Sequence, residues 1–195
     1  MTVIAAIARD GNVLMGSDSA ASYSGSFIYK GEGKIAELLT TGGDRVLVAA
    51  AGNAAILSVI KRDLKIDGTP PVDVDDESAD EWATAVAQAI TGILADCSPS
   101  LLRSSDGDAT SINGTIALAW RGHLWMVFTH TALRPSNGIL SIGSGMDVAI
   151  GAMNAALQFG AKPYDAITTA VELACSFTDG CSTDHRGPLI HSTVY

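Results

Sequence analysis

Basic residues are scarce. Twelve Lys and Arg stand against 21 Asp and Glu in 195 residues, a formal net charge of −9. With no basic stripe to displace counterions from a phosphate backbone, nucleic acid is excluded as a partner class. Cysteine is scarce too. Cys97, Cys175 and Cys181 are odd in number, and their spacing fits neither a zinc ligand set nor a redox pair, so reduced thiols are expected. Long apolar runs are missing. The N-terminal one, Val3 to Ala8, is too short to cross a membrane and lacks the charged segment that precedes a signal-peptide core. These absences together predict a cytoplasmic protein with no membrane partner.

Familiar chemical motifs are absent as well. Gly33-Lys34 is no phosphate-binding loop, because Ile28 stands where the first glycine belongs and Ile35 replaces the hydroxyl residue. Gly143-Ser144-Gly145 is no nucleophile elbow, because Ile142 and Met146 replace its outer glycines, and it is no dinucleotide fingerprint. The four histidines show no metal-ligand spacing. Asn113-Gly114-Thr115 is a glycosylation sequon only in a secreted chain. No metal and no cofactor is expected.

What is present is apolar and ordered. The chain is 47% hydrophobic and 17% charged, enough for a sizeable core. Two apolar runs, Thr2 to Ala8 and Val13 to Met15, flank Asp10-Gly11, a strong hairpin signal. A Ser-rich loop over 19–26 follows, then short strands at Phe27 to Tyr29 and Lys34 to Leu39, and a buried strand from Arg45 to Ala51. Asn53 is placed to cap a helix reaching Leu64, and Ser78 with Glu81 to form the capping box of a second, whose Trp82, Val86, Ala89, Ile90 and Ile93 face inward. Residues 97–111 have the composition of a flexible segment. A hairpin around Arg121-Gly122 comes next, then a strand at Ile139 to Ile142, helices after Gly145 and from Pro163 to Phe177, and a last strand over Pro188 to Val194. Strands, two helices, strands, two helices and a strand do not alternate as a doubly wound sheet does. The order predicts an α+β fold: a four-layer αββα sandwich of two antiparallel sheets flanked by helices, one domain over 1–195.

Thr2 carries the chemical interest. Removing Met1 would leave Thr2 with a free α-amine beside its own hydroxyl. An α-amine has a reference pKa of about 7.7–8.0, so much of it is neutral near pH 7 and able to take the hydroxyl proton, directly or through one water. Position alone does not distinguish this from an ordinary Thr after Met.

The ordered set of motifs does. Thr2-Val3-Ile4, Asp10-Gly11, Gly16-Ser17-Asp18 and Lys30-Gly31-Glu32-Gly33-Lys34 resemble the start of the catalytic subunits of the proteasome family, the β-type subunits and the bacterial HslV peptidase. Ala51-Gly52-Asn53-Ala54-Ala55 looks like the family's Ala-Gly-x-x-Ala turn into its first helix. Ile142-Gly143-Ser144-Gly145 is similar to its Ile-Gly-Ser-Gly, and Asp179-Gly180-Cys181-Ser182 resembles the β-subunit Asp-x-x-Ser. The resemblance spans essentially the whole chain and implies the N-terminal nucleophile (Ntn) hydrolase fold.

It also implies roles. Thr2 would be the nucleophile. Lys34 would favour its alkoxide and lower the amine's pKa, Asp18 would hold Lys34, and the Gly52 N–H would donate to the oxyanion. Ser144, Asp179 and Ser182 would lie near the amine. Ala21, Glu32, Ala50 and Ala54 would line the first specificity pocket, with Glu32 disfavouring acidic residues there and the alanines leaving it roomy. The chain departs from the family at Ile56, usually Asp, and at Asn53, usually Gly or Thr. Only Met1 precedes Thr2, as in HslV, so methionine aminopeptidase is the expected processing enzyme. The function implied is a threonine-type endopeptidase in stacked hexameric or heptameric homo-oligomeric rings, degrading unfolded cytosolic proteins with an ATPase unfoldase as partner. A non-catalytic ring subunit and an Ntn amidase acting on small molecules are the alternatives.

Overall fold

In the computed structural model, residues 24, 25, 30–32, 69–74, 105–109 and 195 lie outside the described part of the chain. In chain order, strands β1 (Ile4–Arg9), β2 (Asn12–Ser17), β3 (Ala20–Tyr23), β4 (Ser26–Tyr29), β5 (Ile35–Leu39) and β6 (Arg45–Gly52) lead into helices α1 (Ala55–Asp63) and α2 (Asp76–Ala95). Strands β7 (Leu102–Arg103), β8 (Ser111–Ile112), β9 (Gly114–Trp120), β10 (His123–Val127), β11 (Ala132–Leu133) and β12 (Ile139–Ile142) follow. Helices α3 (Met146–Gln158) and α4 (Pro163–Phe177) and strand β13 (Leu189–Ser192) complete the order. No described helix is long and apolar enough to cross a membrane.

Two tight turns organise the two sheets. Asp10 and Gly11 take φ of 52° and 74°, and Arg121 and Gly122 take 42° and 85°, the left-handed pair that matches the twist of a two-residue hairpin. Antiparallel pairing gives one sheet the order β12-β1-β2-β13 and the other β11-β10-β9-β6-β5. The turns pack on each other: a Cβ at Gly122 would come within 2.8 Å of Gly11 backbone.

The period-two alternation of the strands then sorts the side chains into three apolar layers. Val3, Ala5 and Ile7 point outward onto Met153, Ile167, Val171 and Ala174 of α3 and α4. Ile4, Ala6, Val13 and Met15 point inward and meet Leu47, Ala49, Ala117 and Leu124 between the sheets. Val46, Val48, Ile116, Leu118 and Trp125 face the opposite way, onto α1 and α2. The result is the expected four-layer αββα sandwich.

Several local expectations differ. The Ser-rich stretch 19–26 contributes β3 and part of β4, a two-stranded hairpin apart from both main sheets. Helix α1 begins after Ala54, and Asn53 assists by accepting the Ala55 N–H at 3.0 Å. Helix α2 begins upstream of the Ser78–Glu81 box. Asp75 caps it by accepting the Ser78 N–H at 2.9 Å, and Asp76 and Glu77 sit in the first turn, where carboxylates suit the positive end of the helix. Its buried face is Ala79, Ala83, Val86, Ala87, Ile90 and Leu94; Trp82 and Ile93 are half-buried and Ala89 is exposed. Small residues let α2 lie close to the sheet, and the bulky Trp82 packs at its flank against Trp120 and Trp125. Within 97–111, β7 and β8 pair with each other.

Candidate active site

The β1–β2 hairpin delivers Thr2 and Asp18 to the same end of one sheet. Asp18 N–H donates to Val3 O at 3.2 Å, and Val3 N–H donates to Asp18 Oδ1 at 3.0 Å, so the carboxylate is fixed from the strand beside it. Lys34 enters just ahead of β5. Its Nζ donates to Asp18 Oδ1 at 2.7 Å, to Oδ2 at 2.9 Å and to Met1 O at 3.0 Å. Asp18 is 0% and Lys34 6% exposed. Burial pushes the Lys34 ammonium below its ordinary pKa, while the charge and hydrogen bonds of Asp18 work against that shift.

Thr2 itself is buried. Its hydroxyl donates to Met1 O at 2.7 Å, the same carbonyl that Lys34 reaches, and its N–H donates to Ser144 Oγ at 3.2 Å. Gly145 N–H holds Thr2 O at 3.2 Å from the other side. The Gly143-Ser144-Gly145 turn closes on Thr2 because position 143 carries no side chain: its φ is +95°, and a Cβ there would stand 2.3 Å from Thr2 O. Met1 packs against Gly180. With Met1 in place the Thr2 nitrogen is an amide, which donates but does not accept a proton.

The remaining site residues fall into two groups. Ser182 reaches Asp18 through its N–H, at 3.3 Å from Oδ2, and its carbonyl accepts from Ser19 and Ala20. Asp179 is exposed and makes no hydrogen bond among the described residues. Gly52 takes φ of +107° at the end of β6, facing Gly114 across the ladder, where a Cβ would come within 2.8 Å of Gly114 Cα. Ala21, Ala50 and Ala54 surround a recess of about 100 Å³ that opens at Thr2, with Leu57 and Lys34 also lining it. Glu32 lies outside the described residues. Ile56 is fully buried in the layer between sheet and helices and does not line the recess.

The structure also brings in residues the sequence did not single out. Cys181 Sγ lies 3.7 Å from Ser144 Oγ, its thiol pKa raised by burial and lowered in part by that contact. Tyr29 Oη is 3.1 Å from Ser182 Oγ. A groove of about 420 Å³ shares Met1, Thr2 and Gly52 with the recess and runs past Ser144, Asn113 and Arg103. The sequence motif around Cys181 gives that thiol no role of its own, and no sequence signal marks Tyr29, because their partners lie 37 and 153 residues away in the chain.

No protein-family model and no curated protein matches the chain. Solved structures do. Thiobacillus denitrificans BPH, in complex with epoxomicin, superposes with a TM-score of 0.71 at 20% identity, covering 98% of this chain and 97% of that one. Eukaryotic HslV from Trypanosoma brucei gives 0.66 at 13% identity, covering 98% of each chain. The fold is that of the proteasome-type Ntn hydrolases. Anbu, the ancestral beta-subunit from Yersinia bercovieri, gives 0.63 at 15% identity over 98% of this chain and 81% of its own. On this proteasome-type frame, Thr2, Asp18, Lys34 and Ser144 form one hydrogen-bonded cluster, joined between Thr2 and Lys34 through Met1 O, with Thr2 and Lys34 lining the recess.

Proposed function

We propose that the chain is a threonine-type endopeptidase of the proteasome family whose nucleophile is Thr2 after Met1 is removed. The observation that carries the reading is the buried Lys34 ammonium, held by both oxygens of Asp18 and reaching the same carbonyl as the Thr2 hydroxyl. A cation there stabilises the alkoxide and favours a neutral amine beside it. In the reaction, the α-amine takes the hydroxyl proton and Thr2 Oγ1 attacks the peptide carbonyl. The oxyanion is met by the Gly52 N–H. Collapse to the acyl-enzyme returns the proton to the leaving nitrogen, and water, activated by the same amine, releases the acyl group. Ser144 orients the amine, Ser182 acts through Asp18, and Asp179 faces the amine once Met1 has left the surface of Gly180. The small residues Ala21, Ala50 and Ala54 receive the substrate side chain that precedes the cleaved bond, and Glu32 disfavours an acidic one.

The working form is a homo-oligomeric ring, hexameric or heptameric and stacked, with sites turned inward and unfolded cytoplasmic proteins fed by an ATPase unfoldase. Exposed Phe159, Tyr164 and Phe177 on and beside α3 and α4, 92%, 56% and 75% exposed, support self-association through that helical layer. The reading is tested by the intact mass of the purified protein, which reports Met1 loss, followed by fluorogenic peptide cleavage by wild type and Thr2→Ala. Cleavage by the Met1-free wild type and none by Thr2→Ala is expected. Equal or absent cleavage in both would refute the reading.

A further inference from the structure

Among the described residues, the groove beyond Thr2 carries one charged side chain. Arg103, on β7, lines it together with the neutral Asn113, Thr115 and Ser144 and with backbone at Gly52, Gly114 and Gly143. Among the described residues, no carboxylate lines the groove and Arg103 has no hydrogen-bond or ion-pair partner. In a chain where acids outnumber bases by 21 to 12, five of the seven arginines (Arg45, Arg62, Arg121, Arg134 and Arg186) pair with a carboxylate; Arg103 and the exposed Arg9 do not among the described residues.

The chemistry of the site says which part of a substrate passes Arg103. The leaving nitrogen must receive its proton from the group that took the hydroxyl proton, so it departs on the side of the Thr2 nitrogen. The partner of that nitrogen is Ser144, at 3.2 Å. Ser144 lines the groove and not the recess, whereas Ala21, Ala50 and Ala54 line the recess and not the groove. The acyl half of a substrate therefore occupies the recess, and the leaving half runs along the groove toward Arg103.

We infer that Arg103 is a specificity-determining residue that selects an acidic side chain one to three positions beyond the cleaved bond. A guanidinium offers a carboxylate two parallel N–H donors, which an amide of the same shape does not match in charge. This inference rests on the peptidase reading above. Because Arg103 is exposed, the selection is modest, about two- to fivefold, as for solvent-accessible ion pairs.

The test uses the Met1-free full chain and internally quenched peptides with a common acyl half and an amidated C-terminus. Glu, Gln or Lys stands at each of the first three leaving-side positions in turn. At one of these positions wild type is expected to cleave in the order Glu, Gln, Lys by kcat/KM, with the spread shrinking from 0.05 to about 0.5 M salt as screening rises. Arg103→Ala should bring the Glu-to-Lys ratio to about one, and Arg103→Glu should invert it. The ratio is internal to each protein, so a change in total activity does not blur it. A ratio unchanged in both variants, or no preference in wild type, overturns the inference while leaving the peptidase reading intact. A Met1-free wild type that cleaves nothing overturns both. A preference seen only when the C-terminus is a free acid assigns Arg103 to the terminal carboxylate and overturns the side-chain claim.

Discussion

Removing the Asp18 carboxylate should cost the fold more than any surface change. Asp18 is fully buried and accepts from Lys34 Nζ with both oxygens, from Val3 N–H and from Ser182 N–H. Asp18→Ala leaves a buried ammonium with Met1 O as its remaining acceptor and leaves two backbone donors without theirs. Breaking a buried pair from one side costs about 3–5 kcal/mol. For a chain of this size each kcal/mol moves Tm by roughly 2–4 °C, so a fall of roughly 6–20 °C is expected. The double variant Asp18→Ala/Lys34→Met removes both charges and keeps an apolar stem in the Lys34 site. It should recover at least half of the loss while remaining inactive, because a buried ion pair is replaceable for stability but not for chemistry. Urea unfolding followed by fluorescence of the Trp82, Trp120 and Trp125 cluster, at fixed protomer concentration, measures both. A loss under about 1 kcal/mol for Asp18→Ala, or a double variant no more stable than the single one, would refute the reasoning.

Two further outcomes follow from the same geometry. Gly143→Ala should lower kcat/KM by roughly a hundredfold, because a Cβ 2.3 Å from Thr2 O forces the nucleophile out of line; unchanged kinetics would show that Thr2 placement does not depend on this turn. His123, stacked between Trp120 and Trp125, has its pKa lowered by burial and by Arg134, with Asp76 and Asp80 opposing. The unfolded chain therefore takes the proton first, and the contribution of neutral His123, complete above about pH 6.5, is lost as pH falls through the lower folded value. The urea midpoint of wild type should drop more between pH 7 and pH 5 than that of His123→Gln; parallel slopes would exclude the effect.

The core of the candidate site was legible because it depends on short-range rules. Asp10-Gly11 fixes a hairpin register, and that register alone carries Asp18 to the side of Val3. Lys34 stands just ahead of β5 and Gly52 ends β6, strands whose apolar runs are plain. What was not legible depends on competition between neighbours. Ser78 looked like a cap, but Asp75 lies farther upstream and its carboxylate takes the Ser78 N–H. The inward face of α2 was legible only in part: Val86 and Ile90 are buried as expected, but Ala79, Ala83, Ala87 and Leu94 complete the face in place of Trp82, Ala89 and Ile93. Of the β3–β4 hairpin only the Phe27–Tyr29 strand was legible; β3 lies in the stretch read as a Ser-rich loop and pairs with β4 apart from both main sheets. Arg103 lay in a stretch whose composition reads as a loop, and only the fold brings it to the groove that starts at Thr2.

The central claim is that Thr2, freed of Met1, is the nucleophile and supplies its own base. The most direct measurement is an acid quench during turnover of a slowly deacylating peptide ester, with the adduct mapped by mass spectrometry. The account predicts an acyl group on Thr2 Oγ1, in chains that begin at Thr2 and in no others. An adduct on another residue, or turnover by chains that retain Met1, would contradict it.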